Sequence, residues 1–261
     1  MRPTGMTEPV LGVLGGMGPA ATADFLARLA SLTPASCDQE HLATIVYSDP
    51  RTADRSDAIL GHGPSPLPAM IRGVDFLNQA GCGLIAIPCN TAHHWYADLA
   101  ARSRAPVLHI AAATIARLRA HPGIDAVGLL ATDGTVRAAI YHTRLQQRGI
   151  AVLDLADRSG ANHVMRGIRA MKAGQADAAR EDLVTAGSHL ARQGAKALIV
   201  ACTDISTALS GVTAIDGRPV VDASDCLALA ALERFERFAR HRAPTLEPDR
   251  SMPARAVDAF Q

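Results

Sequence analysis

The chain is predicted to be an α/β protein of two similar lobes, each a mainly parallel sheet flanked by helices, with an active site in the cleft between them. Three observations predict it. Short runs of Val, Ile and Leu alternate with longer stretches of helical spacing along the whole length. The runs are apolar without alternation, as parallel strands covered on both faces are. The chain also repeats itself faintly: Leu11-Gly12-Val13-Leu14-Gly15-Gly16 matches Val127-Gly128-Leu129-Leu130-Ala131-Thr132, and the offset from Gly12 to Gly128 nearly equals that from Cys89 to Cys202.

Taken in order, an apolar run over 10–14 that ends in two glycines is the first expected strand, and Pro19 suits the opening position of a helix over 19–32. Strands follow over 42–47, 84–88, 107–110, 126–131, 151–154, 197–201 and 220–222. Helical spacing fills the intervals at 67–80, 91–102, 111–120, 136–148, 159–173, 176–193 and 224–240. Residues 48–55 read as a loop. The expected organisation is a first lobe over 1–105, a second over 106–215, the segment 216–240 packing back on the first, and a disordered tail over 241–261, where Pro and charge replace any period.

Composition narrows the partner. Of 261 residues 48% are apolar, enough for a large core. Lys plus Arg number 26 against 25 Asp plus Glu, a net charge of +1, and aromatics are 3%, which gives neither the basic footprint nor the stacking platforms of a nucleic-acid binder. No apolar segment is long enough for a signal or a membrane span. Five cysteines without CxxC spacing point to reduced thiols and a cytoplasmic protein, and neither they nor His93, His94 and His109 form a metal-ligand pattern. A small-molecule partner is expected.

Two cysteines stand apart. Cys89 in Ile87-Pro88-Cys89-Asn90-Thr91 and Cys202 in Val200-Ala201-Cys202-Thr203-Asp204 each end an apolar strand and open into small polar residues. A thiol facing the amides of a helix start is expected to have its pKa lowered toward neutrality. Two thiols on opposite sides of one ligand suit proton removal from one face of a carbon and delivery to the other. Cys37, Cys82 and Cys226 lack the setting. Gly15-Gly16-Met17-Gly18-Pro19 offers backbone amides to an anion but lacks the phosphate-loop ending. Arg51 and Arg55 lie in a loop at the same strand-end face, Lys172 ends a helix, and Ser206 has no GxSxG around it.

Taken together, Leu14-Gly15-Gly16-Met17-Gly18-Pro19-Ala20-Ala21-Thr22, Asp54-Arg55, Pro88-Cys89-Asn90-Thr91-Ala92-His93, Lys172 before Gly174, and Ala201-Cys202-Thr203 resemble the aspartate racemases of the cofactor-independent aspartate/glutamate racemase superfamily. The resemblance implies interconversion of L- and D-aspartate or a close relative, with Cys89 and Cys202 as the acid/base pair and no pyridoxal phosphate or metal. It implies Arg55 as carboxylate clamp and Lys172 as second cation, with Met17, Asp54, Asn90, Thr91, Ala92 and Thr203 around the substrate, and a homodimer. Two positions depart from the family pattern: Asp204 where Glu is usual and Asp49 where Asn is common. Glutamate racemases carry Asp-Ser-Gly-x-Gly-Gly and Cys-Thr-His, which do not occur here. The rival readings are a decarboxylase or maleate-type cis-trans isomerase of the same superfamily, and a non-catalytic amino-acid sensor.

Overall fold

Five residues without a charge, Leu11–Gly15, form a strand buried along its whole length. In the computed structural model, which describes residues 10–155 and 163–242, this strand (β1) leads into α1 (Pro19–Leu32), β2 (Thr44–Ser48), α2 (Arg55–Leu60), α3 (Leu67–Gln79), β3 (Leu84–Ala86), α4 (Tyr96–Arg102) and α5 (Ile110–Arg117). The second half continues with β4 (Ala126–Ala131), α6 (Asp133–Arg137), α7 (His142–Gln146), β5 (Ala151–Leu153), α8 (His163–Lys172), α9 (Ala176–Arg192), β6 (Ala197–Ala201), α10 (Thr203–Ala208), β7 (Ala214–Ile215), β8 (Arg218–Asp222) and α11 (Ala223–Arg242).

The strands form two sheets in like order. The first runs β2-β1-β3, all parallel, with Val107 adding one parallel bridge to Ile85 at the β3 edge. The second runs β5-β4-β6-β8-β7, parallel except for the short β7. Each strand separates two apolar layers by simple alternation. In β1, Leu11 and Val13 face Phe25 and Leu227, while Leu14 faces Met70 and Val74. In β6, Leu198 and Val200 face Leu183 and Leu190, while Ile199 faces Ile115 and Leu129.

The closing helices are exchanged between the lobes. Helix α5 leaves the first sheet yet lays Ala111 and Ile115 on Val127, Leu129 and Ile199 of the second. Helix α11 leaves the second sheet yet lays Ala223, Leu227, Ala228 and Ala231 on Leu11, Val13, Leu84 and Ala86 of the first. The two helices also pack on each other. The expected domain limits need correcting accordingly. Val107 belongs to the first sheet, residues 218–222 are a strand of the second, and only the helical part of the 216–240 segment covers the first lobe.

Several local expectations change as well. The loop expected over 48–55 ends at Arg55, the first residue of α2, and 107–110 holds a single bridge where a strand was expected. The helix expected over 91–102 opens as a 3-10 turn, Thr91–Trp95, before α4. That over 136–148 is split into α6 and α7 around Ala139, whose φ of 52° no helix accommodates. The expected tail beyond 242, residues 1–9 and residues 156–162 lie outside the described residues. Among the described residues no helix is long and apolar enough to cross a membrane.

Candidate active site

The carboxyl ends of β1, β3, β4 and β6 meet at one cleft, where loops leave a parallel sheet and ligands characteristically bind. Met17, Asp54, Arg55, Ser56, Cys89, Asn90, Thr91, Thr132, Lys172, Cys202, Thr203 and Asp204 line it, and it is small, about 50 Å³. That is room for only a few waters. Both cysteines of the matched settings therefore border one cavity, each from its own lobe.

Cys89 is buried and follows β3. Its carbonyl accepts a 2.9 Å hydrogen bond from His93 Nδ1, while His93 Nε2 accepts one from the Ile110 amide at 3.1 Å. These two bonds fix the neutral tautomer, and burial pushes the His93 pKa down to about 4. His93 thus pins the Cys89 backbone. Next door, Tyr141 donates to Asn90 Oδ1 at 2.5 Å, which leaves the buried Asn90 Nδ2 without a protein partner. A buried amide with its oxygen occupied presents a donor to the cleft. Thr91 crosses between lobes, its hydroxyl 3.1 Å from Thr132 Oγ1 and 2.9 Å from Thr135 Oγ1.

Cys202 occupies the position before α10 and is buried. The helix start was expected to lower its pKa, but burial and the neighbouring Asp204 outweigh the local amides and push it up to about 12. Cys202 therefore rests as the thiol. Asp204, in the first turn of the same helix, has its carboxyl raised by burial, against the pull of Lys172 and Arg55. Lys172 Nζ stands 3.9 Å from Asp204 Oδ2. Behind α10, Ser206 donates to Asp222 Oδ1 at 2.8 Å, and Arg28 of α1 reaches Asp222 at 3.1 Å, Asp225 at 2.7 Å and the Ser206 carbonyl at 3.2 Å. Burial works against the Arg28 charge, and the surrounding aspartates more than restore it. The cluster ties the Cys202 helix to the first lobe.

Arg55 is aimed by backbone. Its Nη2 donates to the Met17 carbonyl at 2.9 Å and its Nη1 to the Ala53 carbonyl at 3.1 Å, while the buried Nε has no protein partner. Among the described residues no carboxylate hydrogen-bonds the guanidinium, so its charge is available to an anion in the cleft. Asp54 caps α2, accepting from the Ser56 amide at 2.8 Å and the Asp57 amide at 3.0 Å. The Met17 loop can pass this close because Gly16 has φ 86°, and a Cβ there would lie 2.4 Å from the Asp49 nitrogen. Asp49 itself points elsewhere: Arg51 hydrogen-bonds it at 2.9 Å and holds its carboxyl below the usual range.

The structure thus places Met17, Asp54, Arg55, Cys89, Asn90, Thr91, Lys172, Cys202 and Thr203 on one cleft, whereas Ala92 is fully buried beside it. Ser56 and Thr132 line the cleft without having been singled out. Thr132 had a legible signal, a Thr three residues before Thr135, whose amide it caps at 3.1 Å. Among the described residues no group of three or more His, Cys, Asp and Glu side chains is placed to hold a metal ion.

A cleft of this kind, with thiols from two lobes and a cation held by carbonyls, can be set beside known proteins. The chain is 31% identical over 230 residues to the broad specificity amino-acid racemase RacX of Bacillus subtilis (strain 168), covering 87% of this chain and 98% of that protein. The aspartate racemase of Picrophilus torridus superposes with a TM-score of 0.78 at 30% identity, over 87% of this chain and 94% of that one. A glutamate racemase isoform from Bacillus anthracis shares the fold at 16% identity, with a TM-score of 0.64 over 90% and 83% of the two chains. Residues 14–231 match the family model described as Asp/Glu/Hydantoin racemase, a span that takes in both lobes and both cysteines, and the chain belongs to that family.

Proposed function

We propose that the chain interconverts the L and D forms of aspartate, or of a close relative, by two-base proton transfer between Cys89 and Cys202. The observation that carries this reading is that the two thiols border one small cleft from opposite lobes. A substrate carboxylate takes the Arg55 Nε and the Asn90 amide, the two cleft-lining members of the buried side-chain nitrogens that have no hydrogen-bond partner among the described residues. Lys172 stands at the same cleft as a second cation.

Cys202, held as the thiol, is the proton donor of the resting state. With Cys202 as the donor, Cys89 is the base for that direction. The Cys89 thiolate takes the Cα proton from one face, the Cα–H electron pair is held as a carbanion conjugated with the carboxylate, and the Cys202 S–H bond breaks to protonate the opposite face. The products are the mirror-image amino acid, a Cys89 thiol and a Cys202 thiolate, and the reverse reaction uses the exchanged states. Arg55 stabilises the charge that develops on the carboxylate oxygens. Racemisation fits the Bacillus subtilis and Picrophilus torridus relatives, one described as a broad specificity amino-acid racemase and the other as an aspartate racemase. The reading includes a cytoplasmic location and a homodimer, and light scattering of the purified chain measures the latter.

The test is incubation with L-aspartate in deuterated water, followed by proton NMR and chiral chromatography. Deuterium at Cα and the D enantiomer are expected, and Cys89→Ala or Cys202→Ala should each lower racemisation at least a thousandfold. A decarboxylase or cis-trans isomerase produces neither, and a sensor binds aspartate without exchange. Absence of exchange with every amino acid tried sinks the reading.

A further inference from the structure

The two cysteines are held from behind in the same way. Each carbonyl accepts a hydrogen bond from the residue four positions on, Cys89 from His93 Nδ1 at 2.9 Å and Cys202 from the Ser206 amide at 2.9 Å. Each of those residues is bonded in turn to the start of one of the exchanged helices. His93 Nε2 accepts from the amide of Ile110, which opens α5. The Ser206 hydroxyl donates at 2.8 Å to Asp222, whose carboxylate also accepts from the Ser224 amide at 2.7 Å in the first turn of α11. Arg28 reaches both the Ser206 carbonyl and Asp222. His93 and Ser206 are buried, and neither is among the residues lining the cleft. Because α5 lies on the second sheet and α11 on the first, each sulfur is referred to the lobe across the cleft from its own.

We propose that His93 and Ser206 are a matched pair of positioning residues, His93 for Cys89 and Ser206 for Cys202, each setting the proton transfer of its own sulfur. This rests on the racemase reading above and deepens it. Neither residue touches the substrate. Both act through the backbone of a cysteine.

Two barriers flank the carbanion, one for transfer between Cα and Cys89 and one for transfer between Cα and Cys202. Enantiomers have equal free energy, so kcat/KM is the same in both directions and does not tell the barriers apart. Deuterium at Cα does. The label is moved in the first transfer, whereas the second delivers a solvent-derived proton. Raising only the Cys202 barrier enlarges the isotope effect on kcat/KM for the enantiomer that gives its hydrogen to Cys202 and shrinks it for the other. Raising only the Cys89 barrier does the reverse.

The experiment measures kcat/KM in ordinary water for L- and D-aspartate, or for whichever amino acid wild type turns over fastest, protiated and deuterated at Cα. Ser206→Ala and His93→Gln should each lower kcat/KM about tenfold, the cost of slightly misplacing a reacting group. The isotope effect for the L form divided by that for the D form should differ between the two variants by at least about 1.5-fold, with wild type between them or level with one. Arg28→Gln, which frees the Ser206 carbonyl, should fall on the Ser206→Ala side. Variants that lose activity yet share one isotope-effect ratio have only loosened the fold, and that result overturns the proposal. So does a wild-type kcat/KM in either. If Ser206→Ala or His93→Gln fails to fold, Arg28→Gln or His93→Asn takes its place in the comparison. A wild type inert toward every amino acid overturns the racemase reading instead, and this inference falls with it.

Discussion

At the residue scale, the cleft is built from side chains whose own partners leave them one orientation. Tyr141 turns Asn90, three residues of backbone aim Arg55, and His93 pins Cys89. His93 has a measurable signature. Its folded pKa lies near 4 against an ordinary 6.5, so between those values the unfolded chain takes up a proton that the folded one refuses, and stability falls as pH falls. The loss approaches the order of 3 kcal/mol near pH 4, and His109, pushed down to about 3 by burial and His93, adds in the same direction. Urea midpoints at pH 6.5 and 4.5 should therefore drop less in His93→Gln than in wild type. The chemistry-bearing residues were legible because Cys89, Cys202 and Arg55 sit in distinctive strings. The raised pKa of Cys202 was not, since a thiol at a helix start reads as activated until its burial and the position of the Asp204 carboxylate are known.

At the element scale, the site depends on two short helices that touch across the lobes. Helix α6 meets α2 at Gly134, where a Cβ would lie 2.6 Å from Ser56 Oγ and 2.7 Å from the Ser56 Cα. A rotamer change at Ser56 relieves the first contact and leaves the second, which is backbone. Gly134→Ala should force α2 outward, carry Arg55 with it, and lower kcat/KM at least about tenfold, with a far-UV circular dichroism spectrum like that of wild type. Steady-state kinetics on the purified variant checks this. Long, strongly apolar elements such as β1, β4, β6 and α9 were readable from period and composition alone. Helices α2 and α10 were not, because each has six residues and is held by cap and tertiary contacts that leave almost no periodic trace. The break at Ala139 is likewise imposed by packing, with Ile140 and Tyr141 turned into the core.

At the scale of the whole molecule, the exchanged helices join what the sheets divide. Neither lobe has a complete core of its own, and the Arg28 cluster and the Thr91, Thr132 and Thr135 hydroxyls add polar ties between them. Unfolding should therefore be a single transition. Fluorescence of Trp95, the chain's one tryptophan, reports the first lobe and far-UV circular dichroism reports both; their urea curves should coincide. A fragment ending before β4 should lack a cooperative transition, since Leu11, Val13, Leu84 and Ala86 lose the cover of α11. The like order of the two sheets was foreshadowed by the internal repeat, but the crossing of α5 and α11 was not, because helical spacing says that a face is covered and never by which sheet. The same crossing sets a timetable for biosynthesis. The first sheet leaves the ribosome complete, yet the α11 part of its cover begins at residue 223, about a hundred residues after α5 ends. At translation speeds of roughly 5–20 residues per second, that apolar face goes with only α1 over it for about 5–20 seconds in every nascent chain.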